Sequence, residues 1–172
     1  TKKFKKNLKK RKNYNQKFIT VARLTEVKNH ELMIWSFKEA LKKDKNISLK
    51  IVGDGDLKEY LSSIIKKENL EDNIQLLGKK DDIAFQLSQC GVFILTSKFE
   101  GLPISILEAM SCGLPVISTN VGGIKDIIID GYNGFLVKEN IKEISEAIIR
   151  ISSSKELANY LSKNSYECSS KY

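Results

Sequence analysis

One apolar run constrains the fold more than any other feature of this sequence. Residues Gly91-Val-Phe-Ile-Leu-Thr96 contain no alternation of apolar and polar side chains. A strand with one solvated face alternates, whereas a strand buried on both faces reads as a continuous hydrophobic run, as in a parallel sheet. The run therefore predicts a central strand of a sheet that is covered by helices on both sides.

Strand and helix patterns alternate along the rest of the chain, with short loops between them. Predicted strands occupy residues 18–22, 48–52, 73–77, 91–96, 114–118 and 135–137, and predicted helices occupy 29–43, 57–68, 82–89, 103–112, 140–151 and 154–167. This order predicts an α/β domain with a Rossmann-like, doubly wound and mostly parallel β-sheet. Right-handed crossovers place the carboxyl ends of the strands at one edge, where ligands bind in such folds.

The net charge of +8 suggests a nucleic-acid partner, but its distribution does not. Residues 1–17 contain nine of the 29 basic residues and no acidic residue, so the other 20 basic residues face 21 acidic ones. The body is near neutral, and no nucleic-acid partner is expected. We interpret residues 1–17 as a basic tail or linker before a domain over 18–172. The tail is either a solvated arm or a contact with an anionic membrane or partner.

Cysteine and histidine usage limits the chemistry. Cys90, Cys112 and Cys168 form no CxxC pair, and His30 is the only histidine. A zinc site with the usual ligand spacing is thereby excluded, so no metal is expected. Ser-His-Asp and Cys-His catalysis are excluded unless His30 serves. The cysteines are expected to be small buried hydrophobic residues in a reducing compartment.

The chemistry is expected where glycine concentrates. Six of the ten glycines and both prolines lie between positions 101 and 134. Glu100 is predicted in a loop after a strand, and Glu108 one to two turns into the next helix. Free N–H groups and the positive dipole end at that helix N-terminus suit a phosphate. The Glu108 carboxylate would accept hydrogen bonds from a vicinal diol, such as a ribose, unless it is only a capping or surface residue.

Two cations in the loop after the first predicted strand complete this arrangement. Arg23 and Lys28 would lie on the same edge of the sheet as the helix that carries Glu108. Two cations opposite a helix N-terminus form a clamp for a diphosphate through charge-assisted hydrogen bonds. Without that helix, two basic residues in a loop are usually solvated charges.

Together these segments resemble the C-terminal, donor-binding half of a GT-B-fold glycosyltransferase, of the type grouped as glycosyltransferase family 4. The resemblance covers residues 18–150. The segments that carry it are Val21-Ala-Arg23-Leu with Lys28, Leu49-Lys-Ile-Val-Gly-Asp-Gly55, Ile74-Gln-Leu-Leu-Gly78, the stretch from Glu100 through Glu108 to Pro115-Val, and Val121-Gly-Gly123 through Asn133-Gly134. Each segment is weak alone, but five in this order and spacing are specific.

The resemblance implies a role for each matching residue. Arg23 and Lys28 would hold the donor diphosphate and stabilise its charge as it leaves, and Glu100 would contact the hydroxyls of the donor sugar. Glu108 would accept from the ribose hydroxyls. The backbone that would meet sugar and phosphate belongs to Gly101, Leu102, Pro103 and Ile104. The residues that would border the base are Gly78, Lys79 and Lys80.

The resemblance also implies a reaction. The donor would be a UDP- or GDP-linked sugar, transferred with retention of configuration and without metal or cofactor. A glycan or lipid-linked acceptor would be bound by an N-terminal domain that this chain lacks, and the chain would end short of the family's C-terminal helix. The fragment would then bind donor without turnover. The full-length enzyme would act in glycan or polysaccharide biosynthesis in the cytoplasm, with peripheral contact to the cytoplasmic membrane face.

Other interpretations of the same residues stay open. Glu100 and Glu108 are also compatible with the acid and nucleophile of a glycosidase, and the domain is also compatible with a non-enzymatic nucleotide-sugar-binding module. Asp54-Gly55-Asp56 is similar to a metal-binding DxD motif, but its position after a strand favours a turn. Lys58 stands where a dinucleotide-binding GxGxxG motif has its third glycine, which argues against hydride transfer.

Overall fold

The structure, a computed structural model, describes residues 14–172. Its strands are β1 (Lys17–Val21), β2 (Ser48–Val52), β3 (Ile74–Gly78), β4 (Val92–Leu95), β5 (Val116–Thr119) and β6 (Gly134–Val137). Its helices are α1 (His30–Leu41), α2 (Lys58–Lys67), α3 (Ile83–Ser88), α4 (Ile104–Ser111), α5 (Ile141–Ser152) and α6 (Lys155–Ser169). Short 3-10 helices occupy Tyr14–Gln16, Glu26–Lys28 and Gly122–Asp126.

The six strands form one parallel sheet in the order β3-β2-β1-β4-β5-β6. The first strand of the chain is therefore central, with β2 on one side and β4 on the other. The direction in which strands are added reverses between β1 and β4, and this reversal defines the topological switch point of a doubly wound fold. The predicted α/β, Rossmann-like class is confirmed.

Alternate side chains of the central strands enter two different cores. Phe18 of β1 packs in a cluster with α1, α2 and α5, whereas its neighbour Ile19 packs in a cluster with α3 and α4. Helix α6 contributes to both clusters. In β4, the four residues from Val92 to Leu95 alternate between the same two clusters, and none is more than 1% exposed. The apolar run is uninterrupted because both faces of β4 are buried, as the sequence indicates.

The folded domain begins earlier than residue 18. Lys17 is already in β1, and Asn15 lies in the preceding 3-10 helix with only 2% of its surface exposed. The Asn15 amide donates to the backbone oxygens of Ile151, at 3.3 Å, and Ser152, at 2.6 Å. Residues 14–17, which the sequence analysis assigned to the tail, are therefore part of the folded structure. Residues 1–13 of the predicted tail lie outside the described residues.

Two local predictions are also settled by the fold. Pro103 is the N-cap of α4, in extended conformation, and does not open the first helical turn as expected. The three cysteines are buried, each at most 6% exposed, as predicted. In the part of the chain that the structure covers, no helix is long and apolar enough to cross a membrane.

Candidate functional site

The loops that follow β1 and β4 meet at the carboxyl edge of the sheet, directly over the switch point. Lys28 from the first loop and Glu100 from the second form an ion pair, with 2.6 Å between Lys28 Nζ and Glu100 Oε1. Sequence reasoning placed both residues at this edge but gave them separate partners, a diphosphate and a sugar. The structure joins them to each other.

The two side chains of this ion pair are shielded from bulk water to different degrees. The Glu100 side chain is 6% exposed and the Lys28 side chain 26%. Ser97 Oγ donates a second hydrogen bond to Glu100 Oε1, also at 2.6 Å. A buried carboxylate is tolerated only when it is paired and hydrogen-bonded, and Lys28 and Ser97 meet both requirements.

Backbone hydrogen bonds fix these loops to one another. Lys98 N donates to Val27 O at 2.8 Å, and Thr96 Oγ1 donates to Asn29 O at 2.9 Å. From the end of β5, Thr119 Oγ1 donates to Ser97 O at 2.6 Å. The loops that carry Lys28 and Glu100 therefore have little freedom to separate.

A pair of glycines after β5 packs against the same loop. A β-carbon on Gly122 would lie 1.7 Å from Glu100 O, and one on Gly123 would lie 2.9 Å from Gly101 O. Gly122 also has a φ of +55°, in the left-handed region that favours glycine. Only a residue without a side chain permits the close approach that holds the Glu100 backbone in place.

A cavity of about 560 Å³ opens at the carboxyl ends of β1, β2 and β3. Three of the predicted site residues line it, namely Arg23, Lys79 and Lys80. All three are exposed. The other lining residues were not predicted as site residues: Val21, Ala22, Val52, Gly53, Asp54, Gly55 and Ile83.

The cavity wall explains the segment around Asp54. A β-carbon on Gly53 would lie 1.9 Å from Ala22 O, and one on Gly55 would lie 2.5 Å from Leu24 O. The segment is thus a turn pressed against the loop after β1, as its position after a strand predicted. The sequence analysis predicted the turn from its position after a strand. It did not use the two glycines to assign this segment to the site.

The Asp54 carboxylate is engaged within its own turn. It accepts from Gly55 N at 2.9 Å and from Lys58 Nζ at 3.3 Å. These contacts, the Gly55 N–H first, lower the pKa of Asp54 below its ordinary value. Among residues 14–172 no group of three side chains of the kinds that ligate metals comes together.

Helix α4 begins at the far side of the Glu100 loop. Gly101, Leu102 and Ile104 are exposed there, whereas Pro103 is buried. Pro103 offers no side-chain cap to the amides of the first turn, so these amides remain available to a ligand. Glu108 is the fifth residue of α4 and is half-buried, and this burial raises the pKa of its carboxyl.

Not every predicted site residue makes a contact with the others. Among the ion pairs of the described residues, none involves Arg23 or Glu108. Gly78, at the end of β3, has a φ of +68° and turns the chain toward Lys79 and Lys80. The predicted site residues thus surround one edge of the sheet, and only Lys28 and Glu100 are directly bonded.

His30 does not act as a catalytic base here. It is the first residue of α1 and is fully buried, and neither ring nitrogen has a hydrogen-bond partner in residues 14–172. Burial, and secondarily the charge of Lys28, lower the pKa of His30 to about 4. The imidazole is therefore neutral at pH 7, and no Ser-His or Cys-His pair forms.

A family model described as Glycosyl transferases group 1 matches residues 1–168. The chain belongs to this family. The resemblance drawn from the sequence motifs is confirmed, and the fold is the C-terminal half of a GT-B enzyme of the glycosyltransferase family 4 type. Membership also favours transfer over the glycosidase alternative.

Individual group 1 proteins support the same assignment. An uncharacterized glycosyltransferase of Methanocaldococcus jannaschii is 38% identical over 133 residues, 76% of this chain and 38% of that protein. A TarM mutant from S. aureus, crystallised with Fondaparinux, alpha-GlcNAc-glycerol and UDP, matches with a TM-score of 0.88 at 26% identity. That match covers 93% of this chain and 33% of TarM. The chain therefore spans well under half of the length of these relatives.

A shorter protein matches from end to end. The C-terminal domain of a group 1 family protein (LpcC) from Francisella tularensis has a TM-score of 0.86 and 20% identity, covering 99% of this chain and 95% of that one. This likeness concerns the fold alone. It shows that a domain of these dimensions has been crystallised by itself.

Proposed function

We propose that this group 1 domain binds a nucleoside-diphosphate sugar across the switch point, and that the donor nucleotide is uridine diphosphate. The observation that carries the proposal is the arrangement at the carboxyl edge. A buried carboxylate, Glu100, lies in the loop between β4 and α4 and is paired with Lys28 from the loop after β1. The cavity lined by Arg23 opens at the same carboxyl edge. The choice of uridine is supported by the UDP bound to TarM.

The placement of the donor follows from the chemistry of each wall. The base occupies the cavity of about 560 Å³ beside Lys79 and Lys80, and the ribose hydroxyls donate to Glu108. The diphosphate lies between Arg23, Lys28 and the first turn of α4, since free N–H groups and a positive dipole end favour a phosphate. The sugar hydroxyls donate to Glu100.

This placement assigns the residues roles in group transfer. The bond between the anomeric carbon and the diphosphate oxygen breaks, and negative charge develops on the leaving nucleotide. Arg23, Lys28 and the dipole of α4 stabilise that charge, so the reaction proceeds without a metal ion. In the longer protein the sugar passes with retention to a glycan or lipid-linked acceptor held outside this domain, at the cytoplasmic face of the membrane. The domain alone binds the donor without turning it over.

Thermal unfolding with UDP, GDP and ADP tests the proposal. A ligand at 100 times its dissociation constant adds about 2.7 kcal/mol to the free energy of unfolding. For a domain of this size, the midpoint then rises by about 5–10 °C. We expect this shift with UDP, and its loss in Arg23→Ala and Glu108→Ala. Glu146→Ala, an exposed glutamate on α5, is the matched control and keeps the shift. If none of the three nucleotides raises the unfolding midpoint of the wild type, the proposal is contradicted.

A further inference from the structure

Ser97 is the second residue after β4, three residues before Glu100, and is fully buried. Its hydroxyl donates to Glu100 Oε1 at 2.6 Å. Lys28 Nζ donates to the same oxygen at 2.6 Å. One carboxylate oxygen is thus engaged twice, by a neutral donor and by a cationic one.

We propose that Ser97 is a positioning residue for the donor sugar. By holding Glu100 Oε1, Ser97 directs the other oxygen, Oε2, toward the sugar hydroxyls. The inference rests on the proposed function, because it assumes that Glu100 meets the sugar. It goes beyond that function by assigning a role to a residue that does not touch the donor.

The free oxygen of Glu100 is the first support. Among the described residues, none donates a hydrogen bond to Oε2. The fully buried side-chain atoms without a partner are on Asn15, Thr20 and His30, and Glu100 is not among these residues. Oε2 is therefore not fully enclosed, and it has its acceptor capacity available for a hydroxyl group.

The stiffness of Ser97 is the second support. A lysine ammonium sits on a flexible four-carbon stem, and Lys28 is 26% exposed, so Lys28 alone leaves the carboxylate free to turn. The serine side chain has one heavy-atom torsion and is enclosed. The Ser97 backbone is also fixed, because its carbonyl accepts from Thr119 Oγ1 at 2.6 Å. Lys28 supplies the charge that makes buried Glu100 stable, and Ser97 supplies the direction.

The two parts of the donor respond differently to a loss of Ser97. In the proposed placement the nucleotide touches Arg23, Lys28, Glu108, the first turn of α4 and the cavity, and among the described residues none of these is hydrogen-bonded to the Ser97 side chain. Only the sugar touches Glu100. Removal of the Ser97 hydroxyl therefore weakens the binding of a UDP-sugar while leaving the binding of UDP unchanged. A structural defect in the loop weakens both.

Isothermal titration of this chain separates the two cases. The probes are UDP, UDP-glucose, UDP-galactose and UDP-N-acetylglucosamine. The UDP-sugar that the wild type binds most tightly is chosen. The quantity compared is the ratio of the affinity for that UDP-sugar to the affinity for UDP. In Ser97→Ala we expect this ratio to fall about tenfold, because an undirected Glu100 loses its hydrogen bond to the sugar, and a hydrogen bond to a charged group contributes about this much to affinity. The affinity for UDP stays within about twofold of the wild type.

Three further variants make the result decisive. Ser97→Thr keeps the hydroxyl and restores most of the ratio. Ser165→Ala removes the hydroxyl of an equally buried serine in α6, which donates to Leu114 O. This variant is expected to leave the ratio unchanged. In a Glu100→Gln background, the further change Ser97→Ala adds nothing to the ratio, since the oriented carboxylate is already lost.

The outcomes distinguish this inference from the proposed function. Equal weakening of UDP and UDP-sugar in Ser97→Ala, or no change in the ratio, overturns the positioning role while the donor site stands. A wild-type ratio of one overturns it as well, because Glu100 then contributes nothing to sugar binding. Failure of the wild-type chain to bind UDP removes the donor site and, with it, the inference.

Discussion

The carboxyl edge of the sheet has two halves of different construction. The anchored half contains Lys28, Ser97, Glu100 and Gly122, which are joined across three loops by short hydrogen bonds and a close backbone contact. The open half contains Arg23, Lys79 and Lys80, which are exposed around a cavity. Both halves carry cations. Among the described residues, only the cation of the anchored half, Lys28, is paired with a carboxylate of the protein.

The contrast indicates how the two halves tolerate change. If the proposed placement holds, folding and ligand binding depend on the same contacts in the anchored half, so a substitution there costs stability as well as affinity. In the open half, exposed charges contribute little to folding, so a substitution alters affinity alone. Groups that must be held in one geometry for chemistry belong to the anchored half. The open half leaves room for a change of base preference.

Gly122→Ala gives the largest expected effect. The added methyl group would meet Glu100 O at 1.7 Å in a backbone conformation that L-residues rarely adopt, so the loop must move. We expect a loss of about 4 kcal/mol in the free energy of unfolding, measured by urea denaturation. Gly131→Ala is the control, since its φ is +73° but no atom lies within 4 Å of the added carbon; it costs about 1 kcal/mol. Equal losses would refute the contact argument.

Lys28→Ala against Arg23→Ala compares the two halves directly. Without Lys28, Glu100 keeps a buried charge with no cationic partner, and the free energy of unfolding falls by about 2–3 kcal/mol. Arg23 is exposed, so Arg23→Ala leaves the unfolding free energy within about 0.5 kcal/mol of the wild type. Both variants weaken UDP-sugar binding. The comparison fails if the two variants are equally stable in chemical denaturation.

Acidification tests a residue beside the anchored half, His30, which follows Lys28 by two positions and whose pKa is lowered by burial from 6.5 to about 4. The unfolded chain binds a proton more readily than the native one, so the contribution is complete above pH 6.5 and is lost as the pH falls toward 4. Between pH 7 and pH 5 the wild type is expected to lose about 2 kcal/mol more than His30→Gln. Parallel pH profiles of the two proteins would show that His30 is not the cause.

The smallest effect is expected in the open half. Lys79→Ala and Lys80→Ala each weaken UDP binding about twofold at low salt, because exposed charges attract the ligand through water. At 1 M salt, where the Debye length is about 3 Å, the difference from the wild type disappears. Titrations at both ionic strengths check this. A salt-independent loss would place these lysines in the anchored class.

The sequence predicted elements whose pattern is local. β2 was located at its observed bounds, and the continuous apolar run of β4 indicated its burial on both faces. The start of the domain was missed because the burial of Asn15 depends on backbone oxygens of Ile151 and Ser152, at the far end of the chain. No local pattern around Asn15 carries that information.

The sequence predicted that the candidate site residues share one edge of the sheet, but it did not predict how they pair. Residues at the carboxyl ends of parallel strands share one edge, and this rule alone collected Arg23, Lys28 and Glu100. The bond between Lys28 and Glu100 joins residues 72 positions apart, and it depends on side-chain directions that spacing does not determine. The role of Ser97 was invisible for the same reason, since a serine before a loop has many common partners.

The central position of β1 has a consequence for synthesis. A ribosome releases β1, β2 and β3 first, and these strands form one side of the sheet without any later residue. β4 then pairs with the other edge of β1, and β5 and β6 extend the sheet from β4 in the order in which they emerge. Lys28 is delivered with the first group and Glu100 with the second. Docking of the second group on β1 therefore brings the ion pair together, and the nascent chain has no complete site before that event.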